Sequence, residues 1–179
     1  TLAQLLNYLP VIFPPQTTVV SWVFSHNQEE CIMSAVHNLW HVIKAKVCQN
    51  RNLNHSAYYS GSQQDNCIKN RSAQILTLEI VLNEHRKKFA TIFEPLKGKN
   101  ALYHLIFTKT YWTPSEIRKL SLSDSLFVIQ DELRVDKLPK DIQEFIESLS
   151  LPSVAFTFDE LLEEDWDPKE NSIPLASLN

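Results

Sequence analysis

The tightest patterning of apolar and polar positions lies between Leu102 and Leu133, LYHLIFTKTYWTPSEIRKLSLSDSLFVIQDEL. Leu102 to Thr110 is rich in aromatic and branched residues and predicts a strand. Thr113-Pro114-Ser115-Glu116 has the form of a capping box with proline at the first helical position, where its missing N–H costs nothing. A helix of about two turns, carrying Ile117 and Leu120, is predicted to follow. Ser123-Asp124 then reads as a polar turn into Leu126-Phe127-Val128-Ile129, the core of a second strand.

Elsewhere the pattern is more mixed. Leu2, Leu5, Leu6 and Leu9 stand at helical spacing before Pro10, Pro14 and Pro15 forbid continuation. Thr17 to Ser25, TTVVSWVFS, predicts a buried strand. From Asn27 to about Val47, the residues Ile32, Ala35, Val36, Leu39, Trp40, Ile43 and Val47 recur three and four apart, the stripe of a long amphipathic helix. Residues 48–73 are polar, almost without periodicity, and read as a long loop. Residues 74–96 fit either a helix, with Ile75, Leu78, Leu82, Phe89 and Phe93 on one face, or a hairpin, with Leu76, Leu78, Ile80 and Leu82 alternating; branched residues favour the hairpin. Lys97-Gly98-Lys99-Asn100 is a turn signal, Pro139 to Leu149 a short amphipathic helix, and Ser153 to Phe158 a strand. The expected fold is α+β: mixed strands with one long amphipathic helix, followed by a small strand–helix–strand module. Its parts are an N-terminal region over 1–73, a strand-rich module over 74–158 and an acidic tail over 159–179.

Composition adds a core and a compartment. Of 179 residues 44% are hydrophobic, enough for a domain that folds without staples. Cys31, Cys48 and Cys67 are an odd number without a CxxC pair, which suggests neither a disulfide framework nor a zinc ribbon and makes a reducing, cytoplasmic setting the expectation. Asn54-His55-Ser56 and Asn70-Arg71-Ser72 fit the glycosylation sequon, a pattern short enough to arise by chance. No apolar run approaches the length that crosses a bilayer, and no charged-then-apolar leader pattern opens the sequence. Charge is uneven: residues 1–130 carry 13 Lys and Arg against 8 Asp and Glu, and residues 131–179 carry 4 against 13. An acidic tail competing with a diffuse basic part argues against nucleic acid and for intramolecular or partner electrostatics.

Candidate chemistry is sparse. His37 and His41 are an i, i+4 pair that could share a zinc ion, but Glu30 and Cys48 lie two turns from the nearest histidine, too far to complete the site from a straight helix. Arg51 and His55 lack a second catalytic group or phosphate cradle. There is no Gly-rich phosphate loop, nucleophile elbow or H-E-x-x-H motif, and two glycines leave few places for tight catalytic turns. The expectation is a non-enzymatic protein with no cofactor, no metal and no catalytic residues.

The order strand, short helix, polar turn, strand resembles the first surface-presentation module of the cytoplasmic ring, or sorting-platform, protein of bacterial type III secretion systems, a relative of the flagellar motor-switch proteins. Ile117, Leu120, Ser123-Asp124 and Leu126 to Ile129 match its Leu-x-x-Leu, Gly-Asp and aliphatic strand. Ile92-Phe93-Glu94-Pro95-Leu96 is similar to the aromatic-Glu-x-Leu-Pro run that precedes it. Ser123 departs from the family's glycine; if the turn needs positive φ, Ser123→Gly should be tolerated or mildly stabilising. The resemblance implies the N-terminal part of an oligomeric scaffold for protein secretion and virulence, held at the inner membrane through partners. Those partners would be a second module of the same family, the adaptor to the membrane ring and the regulator of the export ATPase. Leu126, Val128 and Ile129 would then pair with a partner strand. A separate reading makes the chain a regulator or inhibitor that docks a partner through its acidic tail, with Leu161, Leu162 and Trp166 as anchors.

Overall fold

In the computed structural model, which describes residues 16–53 and 62–175 (side chains from Ile32 onward), every regular element is helical. Helices α1 (Gln16–Gln49) and α2 (Gln63–Phe89) pack along each other and carry the rest. They are followed by α3 (Lys99–Thr110), α4 (Pro114–Ile117), α5 (Leu122–Val128), α6 (Lys140–Ser148) and α7 (Ser172–Leu175), with 3-10 turns at Val135–Lys137 and Glu163–Asp165. No strand occurs among the described residues, which corrects the α+β expectation to an all-helical one. The helix predicted over residues 2–9 lies outside the described residues.

The stripe predicted on α1 is buried as expected, with Ala35, Val36, Leu39, Trp40, Ile43 and Val47 all in the core. The helix begins earlier than its stripe, so Thr17 to Ser25 is helical and not a strand. Strand preference in such a run amounts to tenths of a kcal/mol per residue, roughly, and extending an existing helix gains one hydrogen bond per residue fixed.

Helix α2 explains the second misreading. Ser62 caps it, its Oγ accepting from the Asp65 N–H at 3.1 Å, and Arg86, Lys87 and Lys88 sit at its negative end. Nearly every residue from Arg71 to Asn83 is buried, because neighbours cover α2 on most sides. Leu76, Leu78, Ile80 and Leu82 therefore alternate in sequence yet face different neighbours around one helix. A fully buried helix has no polar face, and period alone does not separate it from a strand.

In α3 the buried positions are Ala101, Leu102, Leu105 and Ile106, a helical stripe inside the run predicted as a strand. The capping box at Thr113 is present in full: Oγ1 accepts from the Glu116 N–H at 3.4 Å, and the Thr113 N–H donates to Glu116 Oε2 at 2.9 Å. Ser121, not Ser123-Asp124, makes the next boundary, its Oγ accepting from the Asp124 N–H at 3.0 Å. Leu122, Ser125, Leu126 and Ile129 then bury one face of α5 and its C-cap, so the second expected strand is a helix too. Helix α6 buries Ile142, Phe145 and Ile146 as predicted. Ser153 to Phe158 forms no strand; side chains replace the ladder, with Asn70 Nδ2 donating to the Phe156 carbonyl at 3.1 Å and the Cys67 thiol to that of Thr157.

One hydrophobic cluster runs from Val36 to Leu175 and draws on α1 to α7. The acidic segment after Phe158 closes it. Asp165 is fully buried and accepts from Arg51 at 2.6 and 2.8 Å, from Arg71 Nε at 2.9 Å and from Asn50 at 3.2 Å. Burial alone would raise its pKa, but the donors from Arg51, Arg71 and Asn50 outweigh burial and hold it below the usual aspartate value. About two helical turns further along α2, Glu79 Oε1 accepts from Trp166 Nε1 at 2.7 Å and Asn171 Nδ2 at 3.0 Å.

Candidate docking surface

None of the residues proposed as partner anchors forms an exposed site together with the others. Leu126 and Ile129 are core residues and Val128 is half-buried against them, which leaves no strand edge to pair. Trp166 is buried against Glu79, and the Leu162 carbonyl accepts from Arg71 Nη2 at 3.2 Å. Leu161 keeps part of its surface exposed. The acidic tail is thus bound to its own chain. His37 and His41 stack edge to face at 4.9 Å between ring centroids, with Phe145 beside His37, and no group of three His, Cys, Asp or Glu suited to a metal occurs among the described residues. Arg51 belongs to the Asp165 cluster, and His55 lies outside the described residues.

The exposed chemistry lies elsewhere, where α2 ends and α3 begins. The connection after Phe89 is held by its own polar groups. Thr91 Oγ1 accepts from the N–H groups of Phe93 and Glu94 at 3.3 and 3.0 Å, and the Thr91 N–H donates to the Glu94 carbonyl at 2.9 Å. Leu96 returns to the core at φ 51°, its carbonyl accepting from Arg86 Nε at 3.2 Å. At the tip of this ordered turn Ile92 and Phe93 are 91% and 90% exposed. Large apolar side chains held out by an ordered turn make this a candidate contact surface.

A row of rings continues along the helices. His85 and Phe89 on α2 lie 4.6 Å apart between centroids and meet His104 on α3 at 5.1 and 5.6 Å, then Phe107 and the 80% exposed Tyr111 follow at 6.5 and 6.4 Å. His85 Nε2 lies 2.8 Å from His104 Nδ1, so one ring donates and the other accepts. Burial, then the charges of His104, Lys88 and Arg86, lower the His85 pKa to about 4. A shallow groove of about 220 Å³ links the turn, through Glu94 and Leu96, to His104 and Phe107 and on to Pro114 and Arg118 beyond α3.

Electrostatics give the surface a sign. Residues 84–119 hold eight Lys and Arg against three Glu. Each glutamate is engaged: Glu84 by Lys87, Glu94 by the Leu96 N–H and Glu116 by Thr113. Among the described residues no acidic group lies within ion-pair distance of Lys88, Lys97, Lys99, Arg118 or Lys119.

No family model, curated protein or solved structure matches the chain. No helix among the described residues is long and apolar enough to cross a membrane. Sequence reasoning passed over this surface because residues 74–96 read as a hairpin. Its signal was present: His104, Phe107 and Tyr111 are spaced three and four apart, off the buried stripe of α3.

Proposed function

We propose that the chain is a non-enzymatic assembly module that binds an acidic, amphipathic segment of a partner protein across the end of α2 and the face of α3. The observation that carries this reading is the fixed turn that holds Ile92 and Phe93 out beside unpaired cations. Apolar residues at the tip and the rings of Phe107 and Tyr111 anchor, while Lys88, Lys97, Lys99, Arg118 and Lys119 steer and select for acids. The sorting-platform setting and its cytoplasmic location stay within this proposal as a context. Its contact would be this surface in place of paired strands.

The test is fluorescence anisotropy of the chain against acidic amphipathic peptides, their charge-reversed counterparts and single-stranded RNA. Saturable binding of the acidic peptides, weakened tenfold or more by the double substitution Ile92→Asp and Phe93→Asp with an unchanged melting temperature, is the expected result. Equal affinity for charge-reversed peptides, or tighter binding of RNA, refutes it. Co-elution with the second module and the ATPase regulator tests the secretion context separately.

A further inference from the structure

A second feature, independent of the aromatic surface, lies between the opening of α3 and the C-terminal segment. A cavity of about 640 Å³ is lined by Arg86 from α2, Lys97 and Gly98 at the opening of α3, and Lys169 from the C-terminal segment, with no carboxylate in its wall. That volume suits a small organic ligand. Lys97 and Lys169 reach this cavity from separate stretches of chain, and Arg86 adds a third cation whose own counter-charge, Glu79, lies 3.9 Å away outside the wall.

Two further observations point the same way. Asn83, on the cavity wall, is only 4% exposed, yet its side-chain amide has no hydrogen-bond partner among the described residues. Its polar atoms are not among those sealed from solvent, and the residue lines this cavity, so the amide can meet a ligand there. The twelve-residue helix α3 starts at Gly98 with no side-chain cap and no acid in its first turn, so the positive end of its dipole is uncompensated beside Lys97. The acids near the cavity lie outside its wall: Asp167 and Glu170 face Lys46 at 3.8 and 3.5 Å, and Glu79 pairs with Arg86 at 3.9 Å through Oε2 while its Oε1 accepts from Trp166 and Asn171.

We propose that this cavity binds a small organic phosphate, with the phosphate held by Arg86, Lys97, Lys169 and the Asn83 amide, and the apolar body against Pro168 and Leu175. A phosphate oxyanion accepts several donors at once, which matches cations converging from three directions together with an amide donor. The apolar part of the wall leaves bare inorganic phosphate with less to contact than an ester.

The experiment is isothermal titration of the full chain with phenyl phosphate, with inorganic phosphate and benzoate as controls at constant ionic strength. Phenyl phosphate should bind saturably and at least tenfold more tightly than either control. Lys97→Gln with Lys169→Gln, both exposed residues, should weaken it tenfold or more without moving the melting temperature of the free chain. Asn83→Leu should weaken it by a smaller factor while leaving the free chain equally stable or more so. No saturable binding, equal binding of benzoate, or unchanged affinity in the double lysine variant overturns the proposal.

Discussion

Single residues carry much of the tension in this fold. His85 sits against His104 with its pKa lowered to about 4, so the neutral ring is the form the folded chain prefers. The unfolded chain takes up a proton near the ordinary histidine value of 6.5, before the folded one does. The contribution of His85 is therefore whole above that value and is lost as pH falls from it towards about 4. Denaturant midpoints measured across this window should fall with pH in the native chain and fall less in His85→Gln. Glu79 is the opposite case: burial raises its pKa against the hydrogen bonds of Asn171 and Trp166, and its Oε2 has no hydrogen-bond partner. A raised carboxyl pKa means stability is fullest below the ordinary value of 4.5 and is lost as pH rises through the folded one. Glu79→Gln keeps an oxygen for Trp166 and Asn171 and removes the buried charge, and Arg86, part-exposed and 3.9 Å away, loses only a long contact, so at pH 7 it should change stability by less than about 1 kcal/mol, or raise it. A chemical denaturation curve showing a loss of several kcal/mol would sink that account.

Among the elements, α5 gives the sharpest test of how the chain was misread. Ser123-Asp124 looked like a turn because both residues favour turns, but the same residues follow an N-cap equally well, and Ser121 two positions earlier is that cap. Ser123 lies inside α5 and is exposed, so Ser123→Gly should cost about 0.5 kcal/mol by helix propensity in place of the neutral or stabilising effect a positive-φ turn would give. Thermal melts of the two proteins decide it. The capping box at Thr113, the stripe of α1 and the face of α6 were legible because each is a local signal or a clean period. α2 and α3 were not. Branched and aromatic side chains imitate a strand whenever neighbours cover most of a helix, and the covering elements are remote in sequence. The candidate docking surface was hidden for the same reason, since His85 and His104 belong together only once α2 and α3 are both helices.

Across the molecule, the charge asymmetry of the sequence is resolved in large part within the chain. Lys46 faces Asp167 and Glu170, Lys109 pairs with Glu132, and Arg51 and Arg71 enclose Asp165. The acidic tail is therefore the lid of the core, and removing it does not isolate a binding function. Deleting residues 159–179 would take Asp165 from Arg71 and Trp166 and Asn171 from Glu79, and uncover the ground held by Trp166 and Leu175. Breaking one buried charged cluster by removing a partner costs about 3–5 kcal/mol, against a total of roughly 5–15 kcal/mol for a domain. The deletion should abolish cooperative unfolding. Asp165→Asn is the gentler form: it retains the shape, leaves two guanidinium groups facing a neutral amide and should cost about 3–5 kcal/mol. The native contribution of Asp165 is fully present above the ordinary aspartate value of 3.8 and disappears as pH falls through its lower folded pKa, so the gap between native and variant should close only in strong acid. Guanidinium unfolding followed through tryptophan emission at pH 7 and at pH 2 measures both. A variant as stable as the native chain at pH 7 would mean that the cluster is not what fastens the tail.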